Sequence, residues 1–204
     1  MRIHVRSLLT GVAALAVTAG LLVAAAGVAN AAPVTPGWET DPNAVGTITF
    51  ASAAGCRVTG GDLSDHPTVW YAVASAAGRA GDSKAQLRAY TPQEGVATID
   101  WSGDSLTSST SFPNPTAPTG IAGLTVPVAS GAAGDLSLAE YIDELPNTST
   151  TAGYQNLYEL RLYTSGPGQG ASASYFRVDI RVRVTGLGAD GLPAGTWTVV
   201  RLAA

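Results

Sequence analysis

The chain has 204 residues, 46% of them hydrophobic and 13% charged, with a formal net charge of −4. Beyond position 31 there are 9 Lys or Arg (11 less Arg2 and Arg6) against 15 Asp or Glu, a net charge near −6, together with all 12 prolines and 21 of the 24 glycines. That part holds one His, one Cys and no Met, which excludes sites built on several His or Cys ligands and Met/His-ligated haem within one chain, so no metal and no cofactor is expected.

Arg2 and Arg6 precede an uncharged apolar run from Leu8 to Val28, and Ala29-Asn30-Ala31 has the small-x-small pattern of a signal-peptidase site. The pattern predicts export with cleavage after Ala31. An uncleaved anchor is the competing reading, because the run is long enough to span a bilayer. No second apolar run of that length follows, so no membrane segment is expected in the mature form. Ala53-Ala54-Gly55-Cys56 looks like a lipobox but lies far beyond the apolar run. Leu145-Pro146-Asn147-Thr148-Ser149 looks like a sorting motif, yet strand-like sequence follows it, and it is taken as a turn.

Residues 32–45, with Pro33, Pro36, Pro42 and Trp38, predict an extended lead-in, since closely spaced prolines prevent regular helix pairing. The folded domain is expected over 46–204. Strands are predicted at Thr47–Phe50, Thr68–Ser75, Gln86–Tyr90 and Val96–Trp101 from alternation and β-branched or aromatic content. Ser102–Gly120, rich in Ser, Thr and Pro, predicts a loop or edge segment. Ser137-Leu138-Ala139-Glu140 is a capping-box pattern that opens a short helix to Leu145, with Pro146 as its stop.

The strongest strand patterns come last. In Leu157–Thr164, Tyr158, Leu160 and Leu162 share one face, with Glu159, Arg161 and Tyr163 on the other. In Tyr175–Thr185, Phe176, Val178, Ile180, Val182 and Val184 oppose Arg177, Asp179, Arg181 and Arg183, a period of two over ten residues. Thr196–Leu202 predicts a final strand after an Asp190-Gly191 turn. Such short strands between turn residues imply an all-β domain of two antiparallel sheets packed face to face, with one short helix. About 160 residues are enough for a full core without disulfides.

Several residues invite a chemical role. His66, beside Asp62, Ser64 and Asp65, is the one mature histidine that a Ser-His-Asp arrangement could use, but adjacency in sequence is not triad geometry, and an exposed loop histidine is expected. Paired carboxylates for glycoside hydrolysis could come from Asp100 and Asp104 around Trp101, or from Glu140, Asp143 and Glu144; solvated surface is the expectation. Gly166-Pro167-Gly168-Gln169-Gly170 lies between two strands with no following helix or lysine, so it is a connection, not a phosphate loop. Asp62, Asp65, Asp82 and Asp190 lie near glycines but lack EF-hand spacing. Cys56 is expected to pack as a buried thiol, with an intermolecular disulfide as its alternative.

Charge is uneven. Residues 32–152 carry 4 basic and 12 acidic side chains, and residues 153–204 carry 5 basic and 3 acidic. Arg177, Arg181 and Arg183 project from one strand face with Arg161 across from them, which suggests a contact face for an anionic wall polymer or a protein partner. No nucleic-acid partner is expected. Trp101 and Trp38 are the candidate glycan contacts.

Leu136-Ser137-Leu138-Ala139-Glu140-Tyr141, Leu145-Pro146, Tyr158–Gly166, Val178-Asp179-Ile180 and Thr196-Trp197-Thr198 together resemble Ig-like β-sandwich domains of secreted or wall-attached actinobacterial surface proteins. The resemblance spans Gly46 to the end loosely. It implies a fold and a location, a stalk or surface module without assigned activity, and it carries over no functional residue. The expected function is a non-enzymatic, exported structural or interaction module, with a carbohydrate-binding module as the alternative.

Overall fold

The computed structural model describes residues 41–200. The predicted leader, most of the lead-in with Trp38, and the end of the last predicted strand lie outside the described residues.

Eleven strands and one short helix follow in order: β1 Ala44–Ala51, β2 Arg57–Val58, β3 Gly60–Asp62, β4 Tyr71–Ala74, β5 Lys84–Tyr90, β6 Gly103–Ser105, β7 Thr110–Ser111, β8 Val128–Ser130, α1 Leu138–Glu144, β9 Leu157–Ser165, β10 Tyr175–Leu187 and β11 Pro193–Val199. The strands pair in the order β6-β5-β9-β10-β1-β4-β8, with β11 between β10 and β3, β2 on β1, and β7 on β5. The all-β expectation holds. The pairing is mixed, however, not wholly antiparallel.

The mixed pairing arises in β1. Its first half runs parallel to β10, with Gly46 opposite Phe176 and Thr47 opposite Arg177. Its second half pairs antiparallel with β4, from Ile48 opposite Ala74 to Ala51 opposite Tyr71. Gly46 stands where a Cβ would come within 2.8 Å of the Phe176 ring and 2.6 Å of Ser75 Oγ, so the absence of a side chain lets β1 approach β10.

The buried side chains of β1, β4 and β8 share one core with those of β5, β9, β10 and β11. Phe50 of β1 meets Trp197 of β11 edge to face, 5.6 Å between ring centroids, an arrangement in which the positive ring edge faces the negative ring face. Both are almost fully buried. The helix is capped as the sequence predicts: Glu140 N–H donates to Ser137 Oγ, and the Glu140 carboxylate accepts from Ser137 N–H at 2.7 Å. Its Leu138, Ala139, Tyr141 and Ile142 are buried, and Ala139 N–H donates to Leu63 O, which ties the helix to the segment after β3.

Val96–Trp101 is not a strand. Pro92 and Gly95, the latter at φ +71°, turn the chain there, and Thr98–Asp100 forms a single 3-10 turn. Trp101 then folds back so that its indole N–H donates to Val96 O at 3.0 Å. The Asp190-Gly191 turn is present, with Gly191 at φ +83° and Gly188 N–H donating to Leu192 O. Beyond it Gly195, at φ +155°, sits directly against the Arg183 carbonyl, where a Cβ would collide.

Candidate functional site

The faces of β9 and β10 turned away from the core carry Glu159, Arg161, Tyr163, Tyr175, Arg177 and Asp179. Cross-strand register sets Arg177 opposite Arg161 and Asp179 opposite Glu159. An uncovered face of this kind would be solvated. Here the turn at Thr98–Asp100, Trp101 and the entry to β1 at Asp41 cover it, and Glu159 and Arg161 are both fully buried.

Arg161 is held on three sides. Its Nε donates to Glu159 Oε1 at 2.6 Å, its Nη2 donates to Thr98 O at 2.8 Å, and its guanidinium carbon lies 4.0 Å from the Tyr90 ring centroid, 4.4 Å from Tyr175 and 5.4 Å from Trp101. Stacking suits a guanidinium because its planar, weakly hydrated faces gain from aromatic π-density. Its Nη1 has no hydrogen-bond partner. Burial by itself would lower the Arg161 pKa, and the adjacent Glu159 carboxylate reverses this and raises it.

Arg177 completes the group. Its Nη1 donates to Glu159 Oε2 at 2.7 Å and lies 3.8 Å from Asp41 Oδ2. Asp41 also accepts from Tyr175 Oη at 2.9 Å and 3.0 Å. Three carboxylates therefore meet two guanidiniums, one negative charge in excess if all are ionised. The excess falls on Asp179, whose Oδ1 is buried without a partner. Burial, then the neighbouring Glu159 charge, push the Asp179 carboxyl up to about 7, so it holds a proton far above the ordinary carboxylate range. A cleft of about 460 Å³ lined by Asp41, Gly46, Thr47, Arg177, Asp179 and Val200 opens beside the group.

The predicted four-arginine contact face is therefore corrected. Arg161 is fully buried and Arg177 is half-buried in ion pairs; the cover over this end of the sheet takes Arg161 out of contact with solvent and engages the charge of Arg177. Arg181 and Arg183, further along β10, remain exposed and form no ion pair among the described residues. With Asn156, Thr196 and Thr198 they line an open groove of about 540 Å³.

Trp101, a predicted glycan contact, is 3% exposed because it roofs Arg161. Trp38 lies outside the described residues. Trp70, at 41%, is the exposed large aromatic among the described residues, beside a shallow cleft that also includes Asp65 and His66. His66 does not converge with Ser64 and Asp62: its Nδ1 lies 3.0 Å from Asp135 O and its Nε2 3.6 Å from Glu140 Oε2. Asp100 and Asp104 are exposed, as are Asp143 and Glu144, while Glu140 serves the helix cap. Gly166–Gly170 connects β9 to β10 as expected, with Gly168 at φ +68°.

Asp62 and Asp65 share a turn, Asp82 pairs with Arg79, and Asp190 braces the β10–β11 turn; no group of three or more metal-ligating side chains gathers among the described residues. Cys56 is exposed, contrary to the packed thiol expected. The physical reason is a tight turn after β1, with Gly55 at φ +80° and Ser52 N–H donating to Cys56 O, which places Cys56 on the outer rim before β2.

Residue pattern alone missed the buried ion cluster, because Glu159 and Arg161 alternate with Leu160 and Leu162 as solvent-facing residues would. A signal was nevertheless present: Tyr163 and Tyr175 share that face with the charges. Comparison with known protein families, curated proteins and solved structures gives no match for this chain.

Proposed function

We propose that the protein is an exported, non-enzymatic interaction module, with an Ig-like arrangement in which the β1–β4–β8 ladder and the β5–β9–β10–β11 ladder lie face to face. The observation that carries the reading is the fate of the charged residues on β9 and β10. Glu159 and Arg161 have no accessible surface and pair with one another, and Arg177 bonds Glu159 from β10, so the group acts as a brace between strands and its two buried members do not meet a substrate. The same buried stack occupies Trp101, which takes it out of reach of a sugar ring and weighs against glycan binding through that residue.

Export is supported by Arg2, Arg6, the apolar run and Ala29-Asn30-Ala31. The sandwich is supported by the shared core and by Phe50 against Trp197, which joins the two ladders. The test is a pulldown of the secreted chain on isolated cell wall and on a panel of surface proteins, run beside ester, peptide and glycoside hydrolysis assays. Saturable binding without turnover is expected. Turnover that disappears with Glu159→Gln while the fold is retained would overturn the proposal.

A further inference from the structure

The geometry points to the outer face of the β10–β11 ribbon as a binding site for a linear, phosphate-bearing polyanion, held by Arg181 and Arg183 with Thr196 and Thr198. This names the partner of the interaction module proposed above and rests on that reading.

Arg181 is paired in register with Thr198, and Arg183 with Thr196. All four side chains are exposed, so two guanidiniums and two hydroxyls form one array of hydrogen-bond donors. Residues two apart on a strand lie about 7 Å apart, a separation that successive phosphates of a flexible diester chain, or non-adjacent phosphates of a polyphosphate, can match. The guanidinium fork binds phosphate oxygens in pairs, and threonine hydroxyls donate to phosphate oxygens as positioning contacts.

The charge bookkeeping singles out this end of the sheet. Of the carboxylates on β9 and β10, Glu159 is bonded to Arg161 and Arg177, and Asp179 is buried behind them. Neither offsets Arg181 or Arg183; the exposed carboxylate across the ribbon is Asp62 of β3, which stands opposite Thr196 and is separated from Arg183 by the whole of β11. On a chain with an acidic overall balance, two unpaired arginines in an open groove form a local positive site.

The same edge of the sheet argues against strand addition by a protein. β9 begins at Leu157, opposite Arg181, so beyond Val182 strand β10 has no neighbour on that side among the described residues. Yet the register shifts between Val184 and Gly186, a bulge of the kind that twists an edge away from further pairing.

The experiment measures binding of fluorescent long-chain inorganic polyphosphate to the secreted chain by anisotropy, across a salt series. Arg181→Glu/Arg183→Glu, Lys84→Glu as an exposed control at the other end of β9, and poly-glutamate as a carboxylate competitor complete the set. The expected result is binding that weakens with salt, loss of more than about tenfold in the double variant at low salt, and a salt slope for Arg181→Gln/Arg183→Gln shallower by about 1.4, the value for two phosphate contacts on a single strand. Lys84→Glu is expected to change little. The inference is overturned if polyphosphate does not bind at 50 mM salt or if the double variant binds equally. It is likewise overturned if poly-glutamate competes as well as polyphosphate, or if the wild type forms a dimer that the double variant abolishes. Retained wall or protein capture by the double variant would sink this site and leave the interaction module standing.

Discussion

Replacing Asp179 with Asn should remove most of the pH dependence of stability between pH 4 and pH 7. The folded chain holds this carboxyl's pKa up at about 7 from an ordinary 3.8, first through burial and then through Glu159. The unfolded chain releases the proton near the ordinary value, so between the two pKa values the folded state binds more protons, and stability falls as pH rises. The contribution is fully present below about pH 4 and is lost as pH passes 7. At 1.36 kcal/mol per pH unit, an interval of about three units sets a scale of roughly 4 kcal/mol, and relaxation of the cluster reduces this to about 2–4 kcal/mol.

Asn has the shape of the protonated acid and cannot ionise. In urea unfolding, wild type and Asp179→Asn should have similar midpoints at pH 4, and the variant should be more stable at pH 8 by that amount. The difference between the two proteins cancels every other titrating group. If Asp179→Asn keeps the wild-type pH slope, the assignment of the excess charge to Asp179 is wrong.

Arg161→Leu should cost about 3–5 kcal/mol, because it leaves Glu159 buried with Arg177 as its remaining cation; thermal unfolding measures it, and Glu159→Leu/Arg161→Leu should recover part of the loss. Ser137→Ala should cost about 1 kcal/mol by removing the Oγ that accepts from Glu140 N–H, while the Ser137 N–H to Glu140 bond stays, read by chemical denaturation. Cys56 should be labelled by a thiol reagent in the native state without denaturant, since it is exposed, and mass spectrometry of a timed quench would detect protection if its rim position were wrong.

Elements with several alternating residues were legible from the chain. The apolar residues of β1, β9 and β10 fall on the core side that their period of two assigns, although β9 is buried on its other face as well, and the Ser137–Glu140 box marks the helix start to the residue. Strands of two or three residues, β2, β3, β6, β7 and β8, carry too few positions for a period to show. Val96–Trp101 has strand-like composition but follows a proline and a left-handed glycine, and the Trp101 bond back to Val96 closed it into a turn.

The contact face was legible only in part. Sequence spacing placed Arg161, Arg177, Arg181 and Arg183 on one side of the sheet, and the register agrees. Alternation specifies which side of a strand a residue occupies. It does not specify whether that side is covered. Residues more than fifty positions away in sequence, Asp41 and Thr98–Trp101, close over Arg161 and Arg177 and convert them to a buried brace, while Arg181 and Arg183 stay in water. The sequence by itself determined the β-rich class, the helix cap and the acidic, His- and Cys-poor composition, because those depend on local pattern and residue counts. Only the tertiary structure decided which charges are consumed inside the molecule and which remain in water, because burial and pairing are set by segments that meet only when the chain is folded.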